Sequence, residues 1–447
     1  MAESTTGLNS TAVAFVVCMS LLMLVLPRRY SLVPMFAAAC YMTMGQVVVL
    51  AGLNFSIIRI LTMVGWIRLS IRGEWRIFPL NVIDRSILYW SVSSVAVYSI
   101  LWGTSAAFIY KCGNAYDAIG LYFFFRSLIR NVDEIISAFK LFVWLIIPLA
   151  GFMLVEKHTG RNVFGVFGGV PDFTLVREGV LRCQGPFPHS ILAGTFAAAL
   201  LPFFLALWWH KNGRLVCIIG VICSTIITLT SGSSGPVMTY ACAVLGFGLW
   251  RFRFEMRHLR WGIVVALLCA QLVMKNPVWF IIAHLGVFSG STSYYRAFLI
   301  DQTIRHFDEW WLIGTKYEEP WAPLLTDITN MYVRVAFDGG LLTLILFIVL
   351  LKHSFAAVGG SLRRMKRVAA PIRDQRCVWS LGTALFAHTM TFLAVWYWDQ
   401  NVVNWYMLLA MIAAVGTPMF AAAKNKLNVF DNSFQLESAA KPQLASS

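Results

Sequence analysis

The sequence predicts an all-α polytopic membrane protein with about 12–13 transmembrane helices and one large, partly helical loop on its outer face. Three observations predict it. Of 447 residues, 58% are hydrophobic and only 13% charged, with a mean hydropathy of +0.69. Apolar runs long enough to cross a bilayer recur along most of the chain, and the basic residues collect in alternate connections between them. A water-facing body carries about 25% charged residues, so a soluble binding or structural role is excluded. At about 20 residues per span, a dozen spans also leave no room for a large soluble domain.

In chain order, spans are expected near residues 11–26, 32–51, 55–70, 84–102, 115–129, 136–154, 188–209, 215–230, 236–250, 261–275, 336–351, 377–395 and 402–422. The start, MAESTTGLNS, lacks the basic residues of a signal peptide, and no small-residue cleavage pattern follows the run from Thr11 to Leu26. A retained first span is therefore expected. The expected organisation is N-terminal helices over 1–154, central helices over 155–275, a large outer loop over 276–335, C-terminal helices over 336–423, and a disordered cytoplasmic tail over 424–447.

The 36 Lys and Arg against 21 Asp and Glu give a net charge of +15. In a soluble chain that would suggest nucleic acid. Here the partner is the bilayer, because short cytoplasmic loops are enriched in Lys and Arg, and no nucleic-acid partner is expected. Arg28 with Arg29, then Arg68, Arg72 and Arg76, then Lys211 with Arg214 lie in alternate connections. So do Arg251, Arg253, Arg257 and Arg260, the run from Lys352 to Arg376, and Lys424 with Lys426. One parity places all of them inside, with the C-terminus cytoplasmic and the N-terminus outside. Residues 155–187 and 276–335 are then the two long outer segments.

The nine cysteines sit mostly in apolar runs, where cysteine behaves as a small hydrophobe, and no metal-ligand or redox spacing appears among them. Cys112 and Cys183 fall outside the membrane on one face, so a pairing between them stays open.

Before the seventh span runs RCQGPFPHSILAG, Arg182 to Gly194, whose Gly185, Pro186 and Pro188 force a turn as the helix begins. Arg182 is thereby set at the membrane surface over a helix N-terminus, where an anion binds well. Snorkelling to lipid headgroups is the competing reading. A second outer turn, SGSSGP from Ser231 to Pro236, is either a tight helix connection or a loop whose amides approach a phosphate or sugar.

The large loop contains STSYYRAFLIDQTIRHFDEWWLIGT, Ser291 to Thr315. On a helix, Asp301, Arg305 and Glu309 make an i, i+4, i+8 charge ladder. Arg296 has no acidic neighbour at that spacing, and its charge is left for an external anion. It lies roughly 180° around the helix from Arg305, so the two cannot serve one point. His306 is a candidate base, since its ordinary pKa lies near neutrality. Trp310 and Trp311 read as interfacial anchors or sugar-stacking groups. The loop closes with DITNMYVRVAFDGGLLTL, Asp327 to Leu344, in which Asp327 is a structural or acid/base carboxylate. There Asn330 and Arg334 fall at i and i+4, and Gly339 with Gly340 allow close packing as the next span begins.

In this order the pieces resemble the O-antigen ligase and polymerase superfamily of bacterial envelope glycosyltransferases. The family pattern is an Arg-x-x-Gly-x-Phe turn before a span, a Ser-rich turn two spans later, and a large periplasmic loop. That loop opens near an arginine, has a Gly-containing middle segment, and ends in a His-Asn pair followed by a glycine-led span. Arg182, Gly185 and Phe187 match the first element, Ser231 to Gly235 the second, Arg296 the third, Gly314 the middle segment, and Asn330 with Gly339 and Gly340 the last. The similarity covers roughly residues 180–350. Thr329 stands where the family has histidine, and Ser234 about where it often has a second arginine.

The resemblance implies an inner-membrane enzyme that transfers a glycan from a polyprenyl-diphosphate donor with inversion; no acidic cluster such as Asp-x-Asp appears in the outer loops, so catalysis without metal or other cofactor is expected. Its implied partners are that donor, a glycan acceptor, the bilayer, and chain-length or export proteins. The candidate site residues are then Arg182, Arg296 and Arg305 for the diphosphate and Asn330, Trp311 and Arg334 for acceptor or sugar contacts; the family histidine cannot be carried over, so Asp327 or His306 supplies a base, or none is used. Because the ligase-type histidine is replaced by Thr329, polymerisation of lipid-linked repeat units is favoured over ligation of finished glycan. A carrier or flippase is the reading from another class, resting on Arg59, Arg85, Arg126 and Lys140 within or at the ends of spans. No internal repeat supports it.

Overall fold

The computed structural model describes residues 9–50, 53–75, 79–281, 290–316 and 328–416. The described residues are 77% helical with almost no sheet. The first part comprises α1 Ser10–Val25, α2 Val33–Tyr41, a hairpin of β1 Val47–Leu50 and β2 Leu53–Ser56, α3 Ile57–Ile71, α4 Val82–Trp102, α5 Ser105–Leu128 and α6 Val132–Thr159. A second small hairpin, β3 Val176–Arg177 and β4 Val180–Leu181, leads into α7 Ser190–Ala206, α8 Arg214–Thr230, α9 Ser234–Gly248 and α10 Met256–Val273. After these come α11 Gly290–Arg305, the single turn α12 Phe307–Trp310, α13 Met331–Arg367, α14 Ile372–Thr391 and α15 Gln400–Gly416.

Local chemistry sets the helix ends. Asn81 and Asp84 form a reciprocal capping box at the start of α4, each side chain accepting from the other's backbone N–H at 2.9 and 2.8 Å. Asn131 caps α6, and glycines with positive φ, Gly103 and Gly160, end α4 and α6.

Among the described residues, four helical segments are long and apolar enough to cross a membrane: Val132–Thr159, Ser190–Trp209, Met256–Val273 and Met331–Arg367. Ser10–Val25, Arg214–Thr230 and Gln400–Gly416 are shorter apolar helices. Each of the other segments expected from the sequence falls on a helix except 32–51. There the helix stops at Tyr41 after nine residues, about 13.5 Å at 1.5 Å per residue, and the chain continues extended into β1. There Met42 turns to an extended conformation, and its carbonyl accepts from the distant Gln400 Nε2 at 3.0 Å instead of continuing the ladder.

The bundle has two chemically distinct ends. Glu134 and Glu156 lie on α6 separated by 22 positions, about 33 Å along the axis, close to the thickness of a bilayer's hydrocarbon core. At the Glu134 end the basic connections gather. Arg28 pairs with Glu134 at 3.0 Å, Arg130 donates to the Glu74 carbonyl at 2.9 Å, and buried Arg68 pairs with Glu74 at 2.9 Å. Nearby, Arg376 covers Trp209 and Trp250, while Arg253 and Lys366 cover Phe254. At the Glu156 end lie Asn9, Gln46 and Val166, linked by hydrogen bonds, together with the segment that follows β4.

α7 is the hub, buried along almost its whole length and packed by α8, α9 and α14. Phe203 stacks on Phe139 with centroids 4.4 Å apart. α15 is similarly enclosed, against α5, α13 and α14. α10 buries none of its residues. Charges inside the bundle are paired: Arg59 with Asp117 at 2.8 Å, Lys111 with Asp338 at 2.7 Å and Arg126 with Asp84 at 3.5 Å. All nine cysteines are free, so Cys112 and Cys183 form no disulfide.

Candidate functional site

The RCQGPF segment is shaped by a buried carboxylate. Glu156, 1% exposed near the end of α6, accepts from the backbone N–H groups of Gln184 at 3.0 Å and Gly185 at 2.8 Å, and from the Thr174 hydroxyl at 3.0 Å. Gly185 takes a positive φ of 56°, which a side chain would strain, and its carbonyl accepts from Asn162 at 2.7 Å. Phe187, wholly buried, packs against Phe196 of α7 at 5.2 Å. Glycine turn and phenylalanine anchor thus fix the backbone on both sides of Cys183 and Gln184, and Arg182 is held beside the start of α9.

The serine turn meets it there. Gly232, with φ 57°, lets the turn approach so closely that a Cβ would lie 3.0 Å from the Leu181 carbonyl and 3.4 Å from Arg182 Cγ. Ser233 occupies the cap position of α9 yet makes no capping bond, because its hydroxyl accepts from the Arg182 guanidinium. The amino end of a 15-residue helix is therefore left without a side-chain cap, and such an end attracts anions.

α11 supplies the second arginine. Arg296 is 6% exposed and Arg182 8%, and both line one cleft of about 100 Å³ with Ile191, Gly232, Ser233, Ser234 and Gly235. Gly235 adjoins the second arginine: Arg296 Nη2 lies 3.8 Å from where a Cβ on Gly235 would stand, an ordinary contact distance. Among the described residues no carboxylate pairs with either guanidinium, and both Nε atoms are buried without a partner. Burial, then the Arg182 charge, lowers the Arg296 pKa to about 10. Burial, then Arg177, lowers that of Arg182. Both stay charged at neutral pH, and an anion would relieve both effects.

His189 caps α7 through Nδ1, which accepts from Ile191 N–H at 3.1 Å, so its proton sits on Nε2. Burial, with Arg182 and Arg177 adding to it, lowers its pKa to about 4, and it is neutral at physiological pH.

The other predicted site residues lie elsewhere. Arg305 is nine residues beyond Arg296 on α11, about 13.5 Å along the helix, and does not line the cleft. It pairs with Asp301 at 2.7 Å, its side chain 66% exposed. The charge ladder stops there, because α11 ends at Arg305 and Glu309 bonds His306 Nδ1 at 2.8 Å instead. Trp310 is a core residue, not an interfacial anchor: it is 5% exposed and donates to the Thr303 carbonyl at 2.8 Å. Trp311 is exposed. Asn330 is spent on structure, capping α13 through Tyr332 and Val333 N–H and donating to the Leu393 carbonyl at 3.2 Å. Arg334 sits over Trp396 and pairs with Asp338 at 3.2 Å. Asp327 lies outside the described residues.

The two remaining glycine signals form one lock. Gly340 breaks α13 with φ 65° and ψ −172°, and the Leu341 N–H released by the break donates to the Trp311 carbonyl at 2.8 Å. Thr315 N–H donates to the Phe337 carbonyl at 2.9 Å. A Cβ on Gly314 would collide with that same carbonyl, and one on Gly340 would lie 2.6 Å from the Leu312 carbonyl. Residues 311–315 are thus seated in the break, which ties the loop bearing α11 to the bundle. Gly339 and Gly340 were expected to ease packing at the entry to a span, whereas Gly340 interrupts the helix.

No known family model matches the chain, and no curated protein matches it.

Proposed function

We propose that this protein is a membrane glycosyltransferase that polymerises polyprenyl-diphosphate-linked oligosaccharide repeat units at the outer face of a bacterial inner membrane. The carrying observation is the convergence of Arg182, Arg296 and the uncapped amino end of α9 on one cleft. This cleft lies at the bundle end opposite the basic connections. With the basic end cytoplasmic, the cleft faces outward, where a lipid-linked donor presents its diphosphate. The full bundle then crosses the bilayer about a dozen times, with 32–51 crossing as a short helix followed by extended chain.

In the reaction the acceptor hydroxyl attacks the anomeric carbon, the carbon–oxygen bond to the diphosphate breaks, and the electron pair leaves on the phosphoryl oxygen. Guanidiniums fixed beforehand, with water largely excluded, stabilise that charge as it develops. Asp327, in the loop carrying α11, is the residue proposed to take the acceptor's proton. A carrier is disfavoured because Arg59 and Arg126, two of the four basic residues it would rest on, have carboxylate partners.

The test is a deletion strain complemented with wild type, Arg182→Met or Arg296→Met, with membrane levels checked and lipid-linked glycans sized. Single repeat units accumulating on the carrier, unrescued by either variant, are expected. Full-length polymer trapped on the carrier would instead make the protein a ligase, and normal surface polymer would refute both.

A further inference from the structure

We infer that α10 carries a binding site for an anionic phospholipid at its arginine end, with the headgroup phosphate held by Arg257 and Arg260 and an acyl chain lying down the helix face. Such a site lies at the opposite end of the bundle from the cleft and shares with the glycan reading only the placement of the basic end at the inner leaflet. α10 is long and apolar enough to cross a membrane, and it buries none of its residues. What covers it must therefore come from outside the bundle, and the charge and order of its side chains name the occupant.

Positions 257, 260, 261 and 264 are spaced i, i+3, i+4 and i+7, which is one stripe of a helix. Arg257, Arg260, Trp261 and Val264 line a groove of about 340 Å³ along that stripe. Leu268 and Leu272, both exposed, extend it at successive steps of four. From the basic end inward the order is guanidiniums, indole, then aliphatic side chains. A phospholipid has the matching order, from phosphate through the polar–apolar boundary to the acyl chain, and tryptophan favours that boundary. From Arg260 to Leu272 is 12 positions, about 18 Å along the axis, which spans one leaflet's half of a roughly 30 Å hydrocarbon core.

Both guanidiniums are open to such a phosphate. Arg257 and Arg260 are exposed, and among the described residues neither pairs with a carboxylate, not even Glu255, the nearest in sequence. Arg260 Nε donates to the Met256 carbonyl of its own helix at 3.2 Å, which leaves its two Nη groups for a ligand. Arg253, one turn earlier, is committed otherwise and packs over Trp250 and Phe254 at 4.0 and 4.4 Å. Arginines three positions apart on one helix face offer two forked donors to a single phosphate. A zwitterionic headgroup brings its own cation to the same place and is held less well.

The full chain in detergent is given equal amounts of phosphatidylglycerol and phosphatidylcholine with the same acyl chains, and retained lipid is counted by native mass spectrometry. Wild type is expected to hold a phosphatidylglycerol at least about tenfold more tightly than phosphatidylcholine, from two arginines at a charged surface. The double variant Arg257→Gln, Arg260→Gln should lose that preference yet melt as wild type does in phosphatidylcholine nanodiscs, since both positions are exposed. Arg214→Gln, in another basic connection, should keep the preference. No preference in wild type, or an unchanged one in the double variant, overturns the site. An equal loss in Arg214→Gln overturns it too, because the effect is then one of overall charge. Displacement of the lipid by soluble glycerol phosphate would overturn the acyl groove, and a dimer free of lipid would make a second copy of the chain the occupant. Phosphate binding at the cleft is read separately and is expected to be unchanged in the double variant.

Discussion

Arg296→Met should make the anion-free protein more stable while abolishing its response to phosphate. Burial, then Arg182, holds the Arg296 pKa at about 10, well below that of an ordinary guanidinium. The difference is worth about 3 kcal/mol at about 1.4 kcal/mol per unit. The sign follows from the charge: a base whose folded pKa is depressed is destabilising wherever it is protonated in both states. The whole cost is therefore present at pH 7, and it is relieved only as pH rises through about 10. Methionine keeps an unbranched apolar stem in the same space and removes the charge, so a gain of about 1–3 kcal/mol is expected. At about 2.1 cal/mol/K per residue this raises the melting temperature by roughly 1–3 °C. Phosphate at ten times its Kd should stabilise wild type by about 1.4 kcal/mol and the variant not at all. Thermal unfolding with and without phosphate reads both effects. A variant that melts lower than wild type in phosphate-free buffer, yet gains as much from phosphate, would refute the argument that Arg296 is an uncompensated cation held for a ligand.

Four further outcomes follow from the same geometry. Phosphate affinity should fall as pH rises through about 10, where Arg296 loses its proton; with Arg182→Met the fall should come at higher pH, because one cause of the depression is gone. Glu156→Gln turns an amide N–H₂ toward the Gln184 or Gly185 N–H, so denaturant titration should show a loss of about 1–3 kcal/mol along with weaker phosphate binding. Gly340→Ala should open the 311–315 contact, since both its positive φ and the Leu312 carbonyl oppose a side chain, and limited proteolysis in that segment should quicken. Arg305→Ala removes an exposed ion pair worth at most about 1 kcal/mol and should leave phosphate affinity within twofold; a tenfold loss by calorimetry would place Arg305 in the site.

The helices were legible because apolar runs and basic connections are one-dimensional signals. Residues 32–51 misled for the same reason: the apolar run is continuous, and what ends the helix at Tyr41 is a polar partner, Gln400, some 360 positions away. Arg296 stood out by the absence of a carboxylate at helical spacing, and Arg182 by the turn chemistry beside it. Arg305 and His306 stand out by residue type and spacing and Asn330 by the resemblance, and each spends its side chain on a neighbour. Glu156 and His189 went unseen because a carboxylate at the end of an apolar helix and a histidine before one carry no periodic signature; their roles exist only in the partners the fold brings.

The glycines show how a loose motif can carry dense structural content. Gly185, Gly232, Gly314 and Gly340 are weak signals singly, yet each takes a positive φ, and at the last three another stretch of backbone comes close to where a Cβ would stand. Gly232 lets the serine turn reach Arg182. Gly185 fixes the turn behind Arg182, while Gly314 and Gly340 fasten the loop from which Arg296 projects. A site made of two mutually repelling cations needs such fastening, because the repulsion that readies it for an anion also works to push its arginines apart. The order of glycines along the sequence is therefore the order in which the fold restrains the arginines, and loosening any one should cost anion affinity before it costs helix content.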